Sequence, residues 1–364
     1  MGYNWKNLAH TNDVEIQMIS QNDGHTILKN LTGVELAGSY ISMGYYTDSR
    51  QQAVINTVNS NYIRNSFIKI IHKVPEWNYA KSLGVFAVTN DNGSLKPNKY
   101  VAPLRCSSML YLESLDFAAT PKVINKNATI LDVFKSISSQ SRRRYSIDSN
   151  INNYKFSSTY ILEAGKSTLD RLFTLSNASK NRIDVDGDGL IHVSPYILPN
   201  NKTPVFRFDL ADENGMIIDE LSRSSNYLEL PTRVVVYHSY SDSAGNEKYI
   251  YGYADSTGQL SEGYKGYRIV DFIEEPELTP RTKARADALA KSYLAVNTKE
   301  LIEWEFSCPY IPLWEGDVVT LNINDGPTQY RGLRKCLVKS IKINLDTFIM
   351  DLTLKETSSP DTDI

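Results

Sequence analysis

The chain has 364 residues, 41% hydrophobic and 22% charged, with a formal net charge of −3. That length exceeds one compact core, so about two to four domains are expected. The near-neutral charge excludes a chain built as a whole to coat nucleic acid or an anionic membrane. Residues 1–10 lack a basic start followed by an apolar run, so no signal peptide is expected. No apolar stretch approaches ~20 residues, so no membrane anchor is expected either, and the chain is expected to be made and folded in a cytosol. The 23 tyrosines suit interfaces, because each joins an apolar ring to a polar tip, but β-rich chains also favour them. Cys106, Cys308 and Cys336 have no metal or redox spacing and read as reduced and buried.

Strands come first. Val14, Ile16 and Met18 alternate with polar neighbours, and Asn22-Asp23-Gly24 is a hairpin turn. Further strands contain Phe67, Ile68, Ile70 and Ile71, then Gly84–Thr89, then Tyr100–Ser107. Residues 1–105 form a first β domain. The character changes at residues 106–200, an α/β domain with two capped helices. Thr129 and Ser167 each offer a hydroxyl cap with an aspartate three residues on, Asp132 and Asp170. The helices Thr129–Ser138 and Ser167–Asn177 look like a weak repeat.

Residues 201–277 read as β-rich. Thr232–His238 is a strand, Ser241–Glu247 a polar turn, and Tyr249–Tyr267 a long hairpin or exposed loop. Residues 278–356 close the chain. Thr279 can cap a helix over Pro280–Leu294, with Pro280 in its first turn. Ala284, Ala288 and Leu289 are expected to pack that helix on a final β unit. There Ile302, Trp304 and Phe306 share one face, a Trp314-Glu315-Gly316-Asp317 turn follows, and Phe348, Met350, Leu352 and Leu354 alternate in the last strand. Trp304 is expected to be buried. Residues 357–364 read as a disordered tail.

The one sharp local motif is Asp184-Val185-Asp186-Gly187-Asp188-Gly189. It matches the first half of a calcium loop, so Asp184, Asp186 and Asp188 are candidate metal ligands. Position twelve is Pro195 rather than a bidentate glutamate, and Ile191–Val193 reads as a strand. A metal-free hairpin and weak calcium binding both fit. Arg142-Arg143-Arg144 stands alone and reads as a solvated loop or subunit contact. Gly165-Lys166-Ser167 lacks the first glycine of a phosphate loop, since Tyr160 occupies that position. Glu274-Glu275 beside Pro276 reads as surface charge. The five histidines show no metal-ligand pair. No catalytic residues emerge, and no cofactor beyond the calcium option.

Taken in order, four groups of residues resemble the hub protein of a phage baseplate or tail tip, including the N-terminal hub part of tail-associated lysins. They are Leu36–Ser39 with Thr47–Arg50, Leu83–Thr89 with Val101–Cys106 and Met109–Leu112, Leu162–Gly165 with Leu169–Leu172 and Asp186–Gly189, and Trp314–Val319 with the closing strands. The resemblance implies a mixed β and α+β multidomain fold. It would hold two tube-like β-barrels, an α/β domain and a closing helix-on-β unit. It implies a non-enzymatic homotrimer in the virion that adapts a sixfold tail tube or distal tail protein to a threefold spike, tip or fibre. Tape measure protein would be a further partner, and DNA would pass through the channel without sequence-specific binding. Lysin-type relatives carry a hydrolase module; none is expected after residue 356. Two other readings compete. One is a carbohydrate-binding adhesin using Tyr251, Tyr253, Tyr264 and Tyr267. The other is a calcium-dependent hydrolase using the three aspartates.

Overall fold

The computed structural model describes residues 10–357 except 48, 157–158, 212–215, 219, 242–245, 275–281 and 298–301. The chain is mostly β with few helices. It divides into two compact units, one of Met1–Ile197, Lys202–Leu221 and Glu305–Leu354, the other of Leu198–Asn201, Ser222–Trp304 and Lys355–Ile364. No helix among the described residues is long and apolar enough to cross a membrane.

In the first unit the period-two patterns become strands of one large sheet. Its order runs Ile27–Asn30, Asp13–Ser20, Ser66–Val74, Tyr79–Asn90, Lys99–Ser108, Gln51–Val58, Val34–Gly44, Gly332–Asn344, Ile349–Glu356 and Ile302–Pro309. Strand Gln51–Val58 shows the logic, with Gln51, Ala53, Ile55 and Thr57 inside. The long strand Gly332–Asn344 is the junction. Its second half pairs with the early strand, Ser340 opposite Gly44 and Asn344 opposite Tyr40. Its first half pairs with Val318–Ile323, Leu337 opposite Val318. Phe206–Asp209 then lies parallel to Val318–Ile323.

Among the described residues no sheet closes into a barrel. Instead of two separate barrels, the early and closing strands form one sheet through the Gly332–Asn344 pairing. The sheet nevertheless curls. His72, from strand Ser66–Val74, meets the rings of Tyr310 and Phe348 at 4.4 and 4.5 Å, although these lie beside strands at the other end of the order. His72 is fully buried, its Nε2 lies 2.8 Å from Asn12 Oδ1, and burial lowers its pKa to about 4.

Helices Met109–Leu115, Ile130–Ser138 and Thr168–Ser179 pack on one face of this sheet. Phe67, Val85 and Ala87 from the sheet share a core with Phe134, Leu172 and Ile191. Both expected caps form. Thr129 Oγ1 accepts from the Asp132 N–H at 3.2 Å, and Ser167 with Asp170 completes a reciprocal capping box. Strands Asn181–Val185 and Ile191–Pro195 pair antiparallel, with Ile183 opposite Val193, so the aspartate motif is the tip of a hairpin. All three cysteines are buried and none forms a disulfide.

The second unit is built on a three-stranded sheet ordered Glu247–Asp255, Arg233–Ser241, Val270–Glu274. Val234, Val236 and Ala254 face helix Lys283–Asn297, which meets them with Ala290, Leu289, Tyr293 and Leu294. The helix lies so close that a Cβ on Gly252 would sit 2.3 Å from the Asp287 backbone nitrogen. This corrects the expected packing in two ways. The helix belongs to this sheet rather than to the closing strands, and Ala284 and Ala288 are exposed while Ala286 and Ala290 are buried. Thr279 and Pro280 lie outside the described residues; the observed cap is Thr282, whose Oγ1 accepts from the Arg285 N–H at 3.2 Å. Trp304 is buried as expected, its indole N–H donating to Glu356 Oε1 at 2.8 Å. Most of the expected polar turn, and the tail from residue 358, also lie outside the described residues.

Leu289 joins the helix to the sheet from a half-buried position. Leu289→Asp removes that apolar contact and sets a carboxylate against Val234 and Val236. We expect a loss of about 2–3 kcal/mol in the second unit's unfolding transition by urea denaturation. An unchanged midpoint would contradict this helix placement.

Candidate functional site

Two sequence motifs far apart in the chain meet in one cleft of the first unit. The hairpin tip at Asp184–Gly189 and the Trp314–Asp317 turn both line a cavity of about 440 Å³, with Arg182, His192 and Lys202. The tip docks on strand Tyr79–Asn90. Ser82 Oγ donates to the Gly187 carbonyl, and a Cβ on Gly187 would stand 2.2 Å from the Ser82 carbonyl oxygen. Gly189 takes φ +71°, in the left-handed region that glycine alone enters at no steric cost.

The three aspartates point to different partners. Asp184 is paired with Arg182 and lies 3.8 Å from Arg50 Nε. Asp186 Oδ1 accepts from the Asp188 and Leu190 N–H groups, both at 2.9 Å, while its Oδ2 lies 2.9 Å from His192 Nε2. Asp188 accepts from Lys69 Nζ at 2.7 Å. The carboxylates therefore hold the loop and its docking. Among the described residues no group of three or more His, Cys, Asp or Glu is arranged to hold a metal ion.

The Trp314–Asp317 turn is tightly tied. The Trp314 N–H donates to Asp317 Oδ2 at 2.8 Å, Lys202 Nζ donates to the Gly316 carbonyl at 2.7 Å, and the Gly316 N–H reaches the Val338 carbonyl at 2.9 Å. Gly316 has φ +85°, and a Cβ there would stand 2.3 Å from an Arg182 guanidinium nitrogen. Arg182 is the centre of the cluster. It pairs with Asp184, donates to the Glu315 carbonyl at 3.3 Å, and lies over the Tyr45 ring at 4.2 Å. Arg50 lies over Tyr45 and Phe173, at 5.6 and 5.8 Å.

Burial sets the electrostatics. It works against the charge on Arg182, but the Asp184 carboxylate outweighs it and holds the guanidinium above its ordinary pKa. Burial lowers Arg50 and Lys202 and raises Asp317. Glu315, 6% exposed, is pushed up to about 7 by burial. Its folded value thus lies above the unfolded value of 4.5. The protonated acid favours the fold, so this contribution is complete below about pH 4.5 and is lost as pH rises through 7. Glu315→Gln should abolish that loss. The variant is expected to be on the order of 2–3 kcal/mol more stable than the parent at pH 8 and nearly equal at pH 4.5. Equal stability at both pH values in urea titrations would count against a strained Glu315 carboxylate.

The isolated arginine run also has local tasks. Arg143 lies over Phe67 at 5.5 Å, and Arg144 donates to the Asp188 carbonyl. Tyr251 and Tyr253 are exposed on the second unit's sheet, while Tyr264 and Tyr267 lie in and just after the short helix Glu262–Lys265. Sequence reasoning missed Arg50, Arg182, Tyr45 and Lys202. For Arg182 a signal existed, because it sits two residues before Asp184 on one strand and so shares its face. The cluster ties four segments together; among its described residues no nucleophile stands poised beside a base.

No family model matches the chain, and no curated protein matches it in sequence. Solved structures do match its fold. A tail protein from Neisseria meningitidis MC58 superposes with TM-score 0.61 at 12% identity, over 95% of this chain and 97% of that one. The 43 kDa tail protein of prophage MuSo2 from Shewanella oneidensis gives TM-score 0.61 at 12% identity, over 94% and 98%. The chain has the fold of phage tail proteins. A structure of the Francisella PdpA-VgrG complex matches all of this chain and 61% of its own, with TM-score 0.58 and 12% identity.

Proposed function

We propose that this chain is the homotrimeric hub of a phage tail tip or baseplate, a non-enzymatic structural protein of the virion. The observation that carries this reading is the end-to-end match to two tail proteins, with more than nine-tenths of each chain superposed. A shared module inside an unrelated enzyme would leave much of one partner unmatched.

In this reading the early and closing strand groups of the first unit supply two ring-forming lobes per chain, each the counterpart of a tube-like barrel. Three chains then offer six similar docking surfaces on one side and threefold symmetry on the other. The sixfold side would receive the tail tube or distal tail protein, and the threefold side a spike, tip or fibre. Tape measure protein would end at the channel. DNA would pass without sequence-specific contacts, because a strongly basic lining would bind phosphates and slow it. Asp184, Asp186 and Asp188 serve as loop-holding groups here, since the first and last are paired with Arg182 and Lys69 and Asp186 faces two backbone N–H groups and His192. Calorimetry against millimolar calcium should show no uptake.

The direct test is single-particle imaging with a solution mass taken alongside. Threefold rings with a central opening, at three times the 41.1 kDa chain mass, are expected. A chain that stays monomeric at every concentration, and also in the presence of tail tubes lacking their tips, would overturn the hub.

A further inference from the structure

We propose that the second unit's sheet continues from one protomer into the next, with the outer edge of Glu247–Asp255 pairing antiparallel with the outer edge of Val270–Glu274 in a second copy. This rests on the trimer reading and adds a specific seam to it. Among the described residues both strands are sheet edges, with Arg233–Ser241 between them. Exposed edges present backbone donors and acceptors that only another extended chain satisfies along their length, so the fitting occupant is a polypeptide strand.

The directions agree. Glu247–Asp255 runs antiparallel to the central strand and Val270–Glu274 runs parallel to it. The two edges therefore run in opposite directions. A copy related by rotation about an axis along the strands sets them side by side as an antiparallel pair. That contact is head-to-tail, and a head-to-tail contact whose rotation closes after three copies makes a threefold ring.

The side chains fix a register. Helix Lys283–Asn297 covers one face of the sheet. Tyr249, Tyr251 and Phe272 stand exposed on the other, at 60%, 60% and 71% of full accessibility. Placing Phe272 opposite Tyr251 makes an aromatic cross-strand pair and brings Tyr249 to the Glu274 carboxylate. The register two residues away sets Glu247 opposite Glu274, and like charges directly opposite are destabilising. One end of the seam is already closed: Asp287 Oδ1 accepts the Tyr253 N–H at 3.0 Å, so the helix occupies the edge there.

The test is the double variant Tyr251→Cys with Phe272→Cys in the full chain, oxidised and run on a non-reducing gel, with each single variant as a control. Within one protomer the two positions are separated by the central strand and offset by two residues along it, roughly 12 Å from Cα to Cα. That exceeds disulfide reach of about 7 Å, so the bond must be between chains. The three native cysteines are buried and give little background. Disulfide-linked dimers and trimers from the double variant alone are expected. Dimers from either single variant would overturn the seam, because they report a twofold contact of one edge with itself. A double variant that forms trimers by solution mass but no disulfide would overturn the seam and leave the hub standing. A parent chain that never trimerises would remove both.

Discussion

Arg182→Met is expected to destabilise the first unit by about 3–5 kcal/mol, the usual result of stripping one partner from a buried ion pair. The guanidinium is contacted from several sides while it lines the cleft. It pairs with Asp184, donates to the Glu315 carbonyl, covers Tyr45, and stands where any Cβ on Gly316 would be. Methionine fills much of the volume but leaves the Asp184 carboxylate with Arg50, 3.8 Å away, in place of its close Arg182 partner. Arg182→Lys should rescue little, since one ammonium cannot pair, bridge and stack at once. Adding Asp184→Asn to Arg182→Met should restore a substantial part of the loss, because the stranded charge carries most of the cost. Urea unfolding of the parent, Arg182→Met, Asp184→Asn and the double variant, followed by far-UV circular dichroism, gives the cycle. A single variant within ~0.5 kcal/mol of the parent would show that the cluster contributes specificity rather than stability.

Local features were legible in the sequence because their physics is local. A hydroxyl followed three residues later by an acid marks a helix start, and both Thr129 and Ser167 cap helices as expected. The aspartate motif reads as a hairpin because Asp and Gly supply the turn geometry within a few residues. Alternation identified the inward faces of strands, but it carries no label for the partner strand. The pairing of Ser340 with Gly44 spans nearly the whole chain, so the merging of two expected barrels into one sheet was invisible. The helix face failed for another reason. Alanine stands at 284, 286, 288 and 290, a spacing that marks no single helical face. The side turned inward is set by the close approach that Gly252 permits. The cluster around Arg182 draws on residues 45–50, 182–184, 202 and 315–317, and only its Arg182–Asp184 pair is close enough in sequence to be seen.

Gly187→Ala adds one methyl group and is expected to cost the first unit about 3 kcal/mol. The new Cβ would meet the Ser82 carbonyl oxygen at 2.2 Å and its carbon at 3.0 Å. These are backbone atoms of strand Tyr79–Asn90, where Ser82 pairs with Ile71 of Ser66–Val74. They cannot turn away as a flexible side chain would, so the hairpin tip must lift. Lifting it breaks the Ser82 bond to the Gly187 carbonyl. It also strains the Lys69–Asp188 pair and the Gln51 bond to the Val185 carbonyl, 3.2 Å in the parent. Gly263→Ala is the matched control. That glycine lies in the short helix Glu262–Lys265 with nothing within 4 Å of the added Cβ. Its substitution should be neutral or stabilise by up to ~1 kcal/mol, through the unfolded chain alone. Trp314 lies 3.3 Å from the new methyl position, so its emission should shift in Gly187→Ala and stay unchanged in the control. If the two variants unfold at the same urea concentration, the tip is not wedged against Ser82. The aspartate motif would then be free to answer to a ligand rather than to the fold.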